Sequence, residues 1–416
     1  MRRFIEAPVR RVCILPVVSA LVGLWLGAAP LGAQVAVRGD TVYTMNGAPI
    51  PDGVVLIRDG KIERVGPAAR VRIPEGYRTL TAKVVTPGLV DAHTVTGMAG
   101  YMNQPHDQDQ LDRSSPIQPE LRAVDAYNAR EELVGWLRGF GVTTLHTGHG
   151  PGALVSGQTM IVKTWGDNVD QAMVDSATML AMTLGPSVSG NFQNRSPGTR
   201  SKGVAMLRAE LVKAQDYAGK QRGPADGRPA RDLGLETLAR ALNREMPVLV
   251  TAQRATEILS AIRLAQEFNL RLVLDGAAES YLVIPEIRAA GVPVILHPTM
   301  VRTSGETENA TLETAKKLMD AGIPVALQSG FEAYVPKTRV VLFEAAIAAS
   351  NGLSREEALR TITIDAARII GADRRVGSLE RGKDGDVVLF DGDPFEYTSK
   401  VCGVVIGGQV VSEDCR

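Results

Sequence analysis

Between residues 86 and 372, short apolar runs alternate with longer stretches in which apolar positions recur every three or four residues. The short runs lie at 142–146, 160–163, 248–251, 272–275, 292–297 and 324–327. They are rich in β-branched residues and bounded by Gly, Pro or Asp, so they predict buried strands. The longer stretches, such as 119–140 and 256–268, carry one apolar stripe and predict amphipathic helices. Ala-Gly-Val-Pro at 290–293 and Ala-Gly-Ile-Pro at 321–324 are matching junctions where a helix stops and a strand starts. A repeated βα unit predicts an α/β fold, a (β/α)8 TIM barrel over residues 87–372. A doubly wound open sheet is the rival, but no Gly-x-Gly-x-x-Gly follows any predicted strand.

The two ends are patterned differently. Residues 34–86 and 373–416 hold short strands joined by turns, among them Asp59-Gly60 and Gly407-Gly408, both hairpin signals. Strand-rich ends around an α/β middle predict a small β-sandwich domain built from both chain ends. Residues 185–229, with Asn191, Asn194, Ser196 and a Gly/Pro-rich patch at 223–229, follow neither pattern. They read as an active-site lid or a mobile surface loop.

Composition adds little beyond exclusions. Lys and Arg balance Asp and Glu at net charge zero, which gives no electrostatic basis for a nucleic-acid or membrane-surface partner. The first 33 residues read as a signal peptide: Arg2, Arg3, Arg10 and Arg11, then an apolar stretch at 12–29, then the small-residue exit Leu31-Gly32-Ala33. An uncleaved membrane anchor is the rival reading. Export to the periplasm or the medium is therefore expected, with no membrane contact after cleavage. Beyond the leader only Cys402 and Cys415 remain, flanking the predicted Gly407-Gly408 hairpin. Pairing about that turn sets Cys402 opposite Glu413, so a disulfide is expected in an oxidising compartment.

The candidate chemistry begins at Thr86-Pro87-Gly88-Leu89-Val90-Asp91-Ala92-His93, where a histidine ends a buried strand. A second signature runs from Arg254-Ala255-Thr256-Glu257-Ile258 through Leu274. A third runs from Gly377-Ser378-Leu379-Glu380-Arg381-Gly382 to Asp391-Gly392-Asp393-Pro394. Together they make the chain resemble the amidohydrolase superfamily, most closely its imidazolonepropionase-like branch. The resemblance implies the same barrel and sandwich, and hydrolysis of a C–N bond in a small amide or cyclic amide. It also implies metal-ligand positions, and of these only His93 is kept. Val95 stands in the second place of the His-x-His pair, Thr251 at or near the fifth-strand His, Gly276 near the sixth-strand His and Gly330 at the eighth-strand Asp. A zinc centre needs about three protein ligands plus an open position, so the usual metal-hydroxide site does not assemble from these residues.

The five histidines are His93, His106, His146, His149 and His297, each at or after the end of a predicted strand. In a barrel they would gather on the face where chemistry is found. His93, His146 and His149 are the candidate metal ligands, with His297 able to join them. Zn2+ at a non-standard site and no metal at all both stand, as does a plain hydrogen-bonding role for each ring. For proton transfer the candidates are His297, whose ordinary pKa is about 6.5, and Glu332, the nearest carboxylate to the missing aspartate. Asp91, Asp275 and Glu279 are further acids on that face. Two functions follow: an exported amidohydrolase-like hydrolase with a remodelled site, or an inactive relative serving as a ligand-binding or interaction protein. The expected partner is a small molecule, and self-association stays open.

Overall fold

The computed structural model describes residues 34–193, 196–297, 303–331 and 338–415, within a compact unit spanning Gly32–Arg416. The leader at 1–33 and Glu332 lie outside the described residues. Seventeen strands follow in order: β1 Val35–Val42, β2 Ile50–Arg58, β3 Lys61–Pro67, β4 Arg78–Pro87, β5 Leu89–Thr94, β6 Val142–Thr147, β7 Val155–Gln158, β8 Met160–Lys163, β9 Met173–Asp175, β10 Leu180–Thr183, β11 Val248–Ala252, β12 Leu272–Gly276, β13 Val294–Leu296, β14 Val325–Leu327, β15 Val387–Phe390, β16 Val401–Ile406 and β17 Gln409–Ser412.

The central part is barrel-like but is recorded as two open sheets, ordered β14-β13-β12-β11-β10-β7 and β5-β6-β8-β9. Strands β10 to β14 are mutually parallel, as are β5 and β6. The stretch 155–163 joins the two sheets, because β7 pairs with β10 and β8 with β6. On the far side Thr94 bridges Gly330. The expected all-parallel ring is therefore corrected at its third place, where 155–163 runs against its neighbours. A parallel crossover needs a dozen or more residues, and the link between Thr147 and Val155 is too short to supply one.

Inside this wall Val90, Ile161, Leu249, Val273, Ile295 and Ala326 meet in one apolar layer. Ala366, Ala367 and Ile370, from the helix Ile364–Ile369 and its end, join the same layer. Side chains on a strand alternate with period two. The positions two further along from Leu249, Val273, Ile295 and Ala326 are Thr251, Asp275, His297 and Gln328. A polar layer thus sits directly on the apolar one, at the carboxyl ends of the strands.

Both chain ends enter one seven-stranded sheet, ordered β17-β16-β15-β4-β1-β2-β3. Among the described residues these strands pair as one continuous layer. It curls until its hairpin tips touch: Gly385 N–H donates to Gly60 O at 2.8 Å and Gly408 N–H to Gly385 O at 3.0 Å. Asp59 and Gly60 both have positive φ, 52° and 77°, as a type I′ turn requires.

Two helical expectations change. Only Glu132–Gly139 of the 119–140 stretch is α-helical, the earlier part being turns and a short 3-10 segment. Conversely, the segment read as lid or loop contains the helix Arg200–Gln221, which buries Gly203, Leu207, Leu211, Ala214 and Tyr217. Those positions step by three or four, but long charged residues between them dilute the stripe.

Cys402 and Cys415 are disulfide-bonded. A register irregularity between Val404 and Val405 pairs Val404 with Ser412 and so moves the arms one place from a simple two-residue hairpin. Reduction of the purified chain is expected to raise its mass by about 2 Da and to lower its denaturation midpoint, with loop entropy limiting the loss to about 3 kcal/mol. An unchanged mass after reduction would refute the bond.

Candidate functional site

Asp275, near the end of β12, is the centre of the polar layer. His93 Nδ1 donates to its Oδ1 at 2.8 Å. Gln328 Nε2 donates to the same oxygen at 2.7 Å, and the Thr251 hydroxyl donates to Oδ2 at 2.5 Å. All four side chains are buried. Burial alone would depress the His93 imidazole, but the charge and hydrogen bond of Asp275 outweigh it and hold His93 above its ordinary value. Burial likewise pushes Asp275 up, yet His93, Thr251 and Gln328 together keep it below the usual carboxylate range. Both shifts favour the charged forms of the pair, and His93 Nε2 is buried without a hydrogen-bond partner.

A second buried acid lies beside this pair. Asp91 Oδ1 accepts from the Ser329 amide at 2.9 Å, and Oδ2 accepts from the Ser329 hydroxyl. Ser329 in turn is bonded to Thr94 and Thr338, at 3.0 and 2.7 Å. Burial dominates at Asp91 and pushes its carboxyl to about 7, the Ser329 bonds offsetting only part.

The other histidines part company. His146 Nδ1 donates to Ala92 O at 2.7 Å, and its Nε2 accepts from the Thr159 hydroxyl at 2.6 Å. Burial lowers it to about 3, the nearby His93 charge adding to the effect. With both nitrogens committed it is a neutral structural residue, although its ring lies 5.9 Å from that of His93. His149 is buried against Gly157, a glycine at φ 133° whose absent β-carbon would fall 2.5 Å from the His149 ring. Burial lowers its pKa as well. His106 is exposed on the 3-10 turn Pro105–Asp107, in the loop that follows β5, apart from the buried histidines. His297 follows β13, and its Nδ1 is buried and unpartnered.

Two glycines explain how the mouth is filled. A β-carbon on Gly330 would lie 2.7 Å from His297 Nε2, so the His297 ring covers the place where the resemblance puts a metal-binding aspartate. A β-carbon on Gly276 would lie 2.5 Å from Gln253 Nε2, so the Gln253 amide covers the corresponding sixth-strand place. Gln253 and Gln328 were not singled out in the sequence. The available signal was their spacing, two residues past Thr251 and two past Ala326.

These residues do not fit a zinc centre. Val95 is apolar and buried, Thr251 is spent on Asp275, and Gly276 and Gly330 offer no donor atoms. Among the described residues no group of three or more His, Cys, Asp or Glu is placed to hold a metal ion. His93, His146 and His149 are thus not brought together as a ligand set. Glu279 caps the helix Ala255–Glu267, accepting from Ala255 N–H at 2.8 Å, and its other oxygen takes Asn309 at 2.7 Å.

Residues 237–412 match the model of the Amidohydrolase family. The imidazolonepropionase of Porphyromonas gingivalis is 26% identical over 408 residues, which cover 89% of this chain and 91% of that protein. Amidohydrolase tasK of Hapsidospora irregularis is 24% identical over 395 residues, 87% of this chain but only 40% of that longer protein. Among solved structures, an amidohydrolase from Thermotoga maritima MSB8 superposes with a TM-score of 0.85 at 28% identity, covering 91% of this chain and all of that one (100%).

Asp91 and His146, both buried, make opposite contributions to the pH dependence of stability. Asp91 titrates near 7 in the folded chain, against about 4 when unfolded. Its contribution is full below about pH 4 and is lost as pH rises toward 7. His146 titrates near 3 when folded, so its contribution is present above about 6.5 and is lost as pH falls. Asp91→Asn should therefore gain stability relative to the parent chain between pH 5 and pH 8, by up to about 3 kcal/mol. Urea midpoints at the two pH values measure this, and a difference that does not change with pH would refute the assignment.

Proposed function

Because the chain belongs to the amidohydrolase superfamily, on its imidazolonepropionase-like branch, we propose that it hydrolyses a C–N bond in a small cyclic amide of the imidazolone type, using side chains where its relatives would use a metal. The observation that carries this reading is the buried His93–Asp275 pair, 2.8 Å apart, whose free Nε2 lies at the carboxyl ends of the strands. That end of a barrel is where catalytic groups collect.

Hydrolysis of an amide needs a base for water, a stabiliser for the developing oxyanion and a proton for the leaving nitrogen. His297, with an unpartnered nitrogen, is the base in this reading. Water loses a proton to His297 and adds to the carbonyl carbon. His93, kept protonated by Asp275, supplies the proton to the departing nitrogen through Nε2. Asp275 is a positioning residue, fixing which His93 nitrogen faces its carboxylate and which stays free. Glu332, the acid expected from sequence, lies outside the described residues, and no step is routed through it. Export to an oxidising compartment belongs to the same proposal, supported by the basic-then-apolar leader and the Cys402–Cys415 bond.

The test is turnover of cyclic amides, followed by ring-opened product, with and without a chelator. Chelator-insensitive turnover is expected, with His297→Ala lowering kcat at least about 100-fold. Turnover abolished by chelator and restored by zinc would overturn the side-chain mechanism. No turnover with any cyclic amide would leave the barrel as a ligand-binding relative.

A further inference from the structure

We propose that Gln253 is the group that grips the substrate's carbonyl oxygen, which makes the ligand an uncharged cyclic amide or imide. The proposal rests on the function read above and adds a substrate-binding residue to it. Three observations carry it, none of them a titration.

The first is steric. Gly276 ends β12 with φ 74°, and a β-carbon there would lie 2.5 Å from Gln253 Nε2 and 2.9 Å from its Cδ and Oε1. The whole carboxamide therefore lies against that glycine, whose positive φ itself disfavours a β-carbon. The second is orientation. Gln253 Oε1 accepts from the Ala278 amide at 3.2 Å, and its backbone carbonyl accepts from Glu279 N–H at 2.8 Å. An oxygen tied to a backbone donor settles which end of the amide is nitrogen. The third is the open valence. Gln253 is half-buried, and its carboxamide bonds to the described residues through Oε1, which leaves Nε2 available to a ligand.

The donor also stands in the right company. His297 N–H donates to Gly276 O at 3.1 Å, so the proposed base springs from the turn on which the Gln253 amide lies. Among the described residues here, the neighbouring guanidinium and hydroxyl donors are already engaged. Arg254 is engaged with Glu308, and the Thr251 hydroxyl with Asp275. A neutral, fixed N–H donor beside a base suits a neutral carbonyl better than a carboxylate or phosphate, which would call for a guanidinium.

The test uses hydantoin and succinimide as probes, titrated into the full chain by calorimetry, with amide turnover measured alongside. Gln253→Met keeps the side chain's length and removes its donor. It should weaken binding of both rings about tenfold. Should Gln253→Met not fold, the 15N-resolved side-chain amide signal of Gln253 in the parent chain replaces it, and a shift of that signal on adding hydantoin is the expected result. Equal binding by the Met variant, or a Gln253 signal blind to the ring, overturns the proposal while leaving hydrolysis untouched. Gln253-dependent binding without any turnover supports it and overturns the catalytic reading alone.

Discussion

A carboxylate sealed away from water must be compensated, and the compensation of Asp275 organises the mouth of this barrel. An unpaired ion in that position would be strongly destabilising, with several kcal/mol at stake. Here His93 reaches it from β5, Thr251 from β11 and Gln328 from just past β14. One acid on β12 therefore ties together strand ends from both open sheets, across the seam that Thr94 and Gly330 bridge. The apolar layer beneath gives that knot a dry floor, and strand alternation places floor and knot two residues apart.

Histidine chemistry in this chain is decided by what each ring can reach, more than by where it falls in sequence. His93 and His146 are both fully buried at the ends of adjacent strands, yet they are driven in opposite directions. His93 meets a carboxylate, which favours its protonated form. His146 meets a backbone carbonyl and a hydroxyl, gains no counter-charge, and is held neutral. The same contrast holds for the acids. Asp275 has a cationic partner and stays ionised, whereas Asp91, fed mainly by Ser329, is raised toward neutrality.

Most of the architecture was readable from the apolar pattern, because strand and helix periods depend on local spacing. The strands near 142, 160, 248, 272, 294 and 325 fall where alternation and turn residues placed them. The reversed direction of 155–163 was legible only in the length of the link before it, and the helix at 200–221 only beneath its charged residues. At the site, the opening motif pointed to His93, which the fold buries against Asp275, one of the acids legible in the sequence. What stayed hidden was long-range. Gly276 and Gly330 read as gaps in a string of letters, whereas in space a neighbouring strand's side chain lies on each of them. Nothing local to either glycine says which residue will occupy the room it leaves.

That occupancy gives the mouth the character of an interlocked puzzle. The Gln253 amide leans from β11 onto the end of β12, and the His297 ring leans from β13 onto the end of β14. A carboxylate or imidazole put back at either glycine would collide with the side chain now lying there, at a backbone angle that also disfavours any β-carbon. An exchange at either glycine must move the side chain that covers it and accept a strained backbone, so each glycine and its covering residue are coupled positions. The present shape of the mouth is thus held by pairs of residues from neighbouring strands.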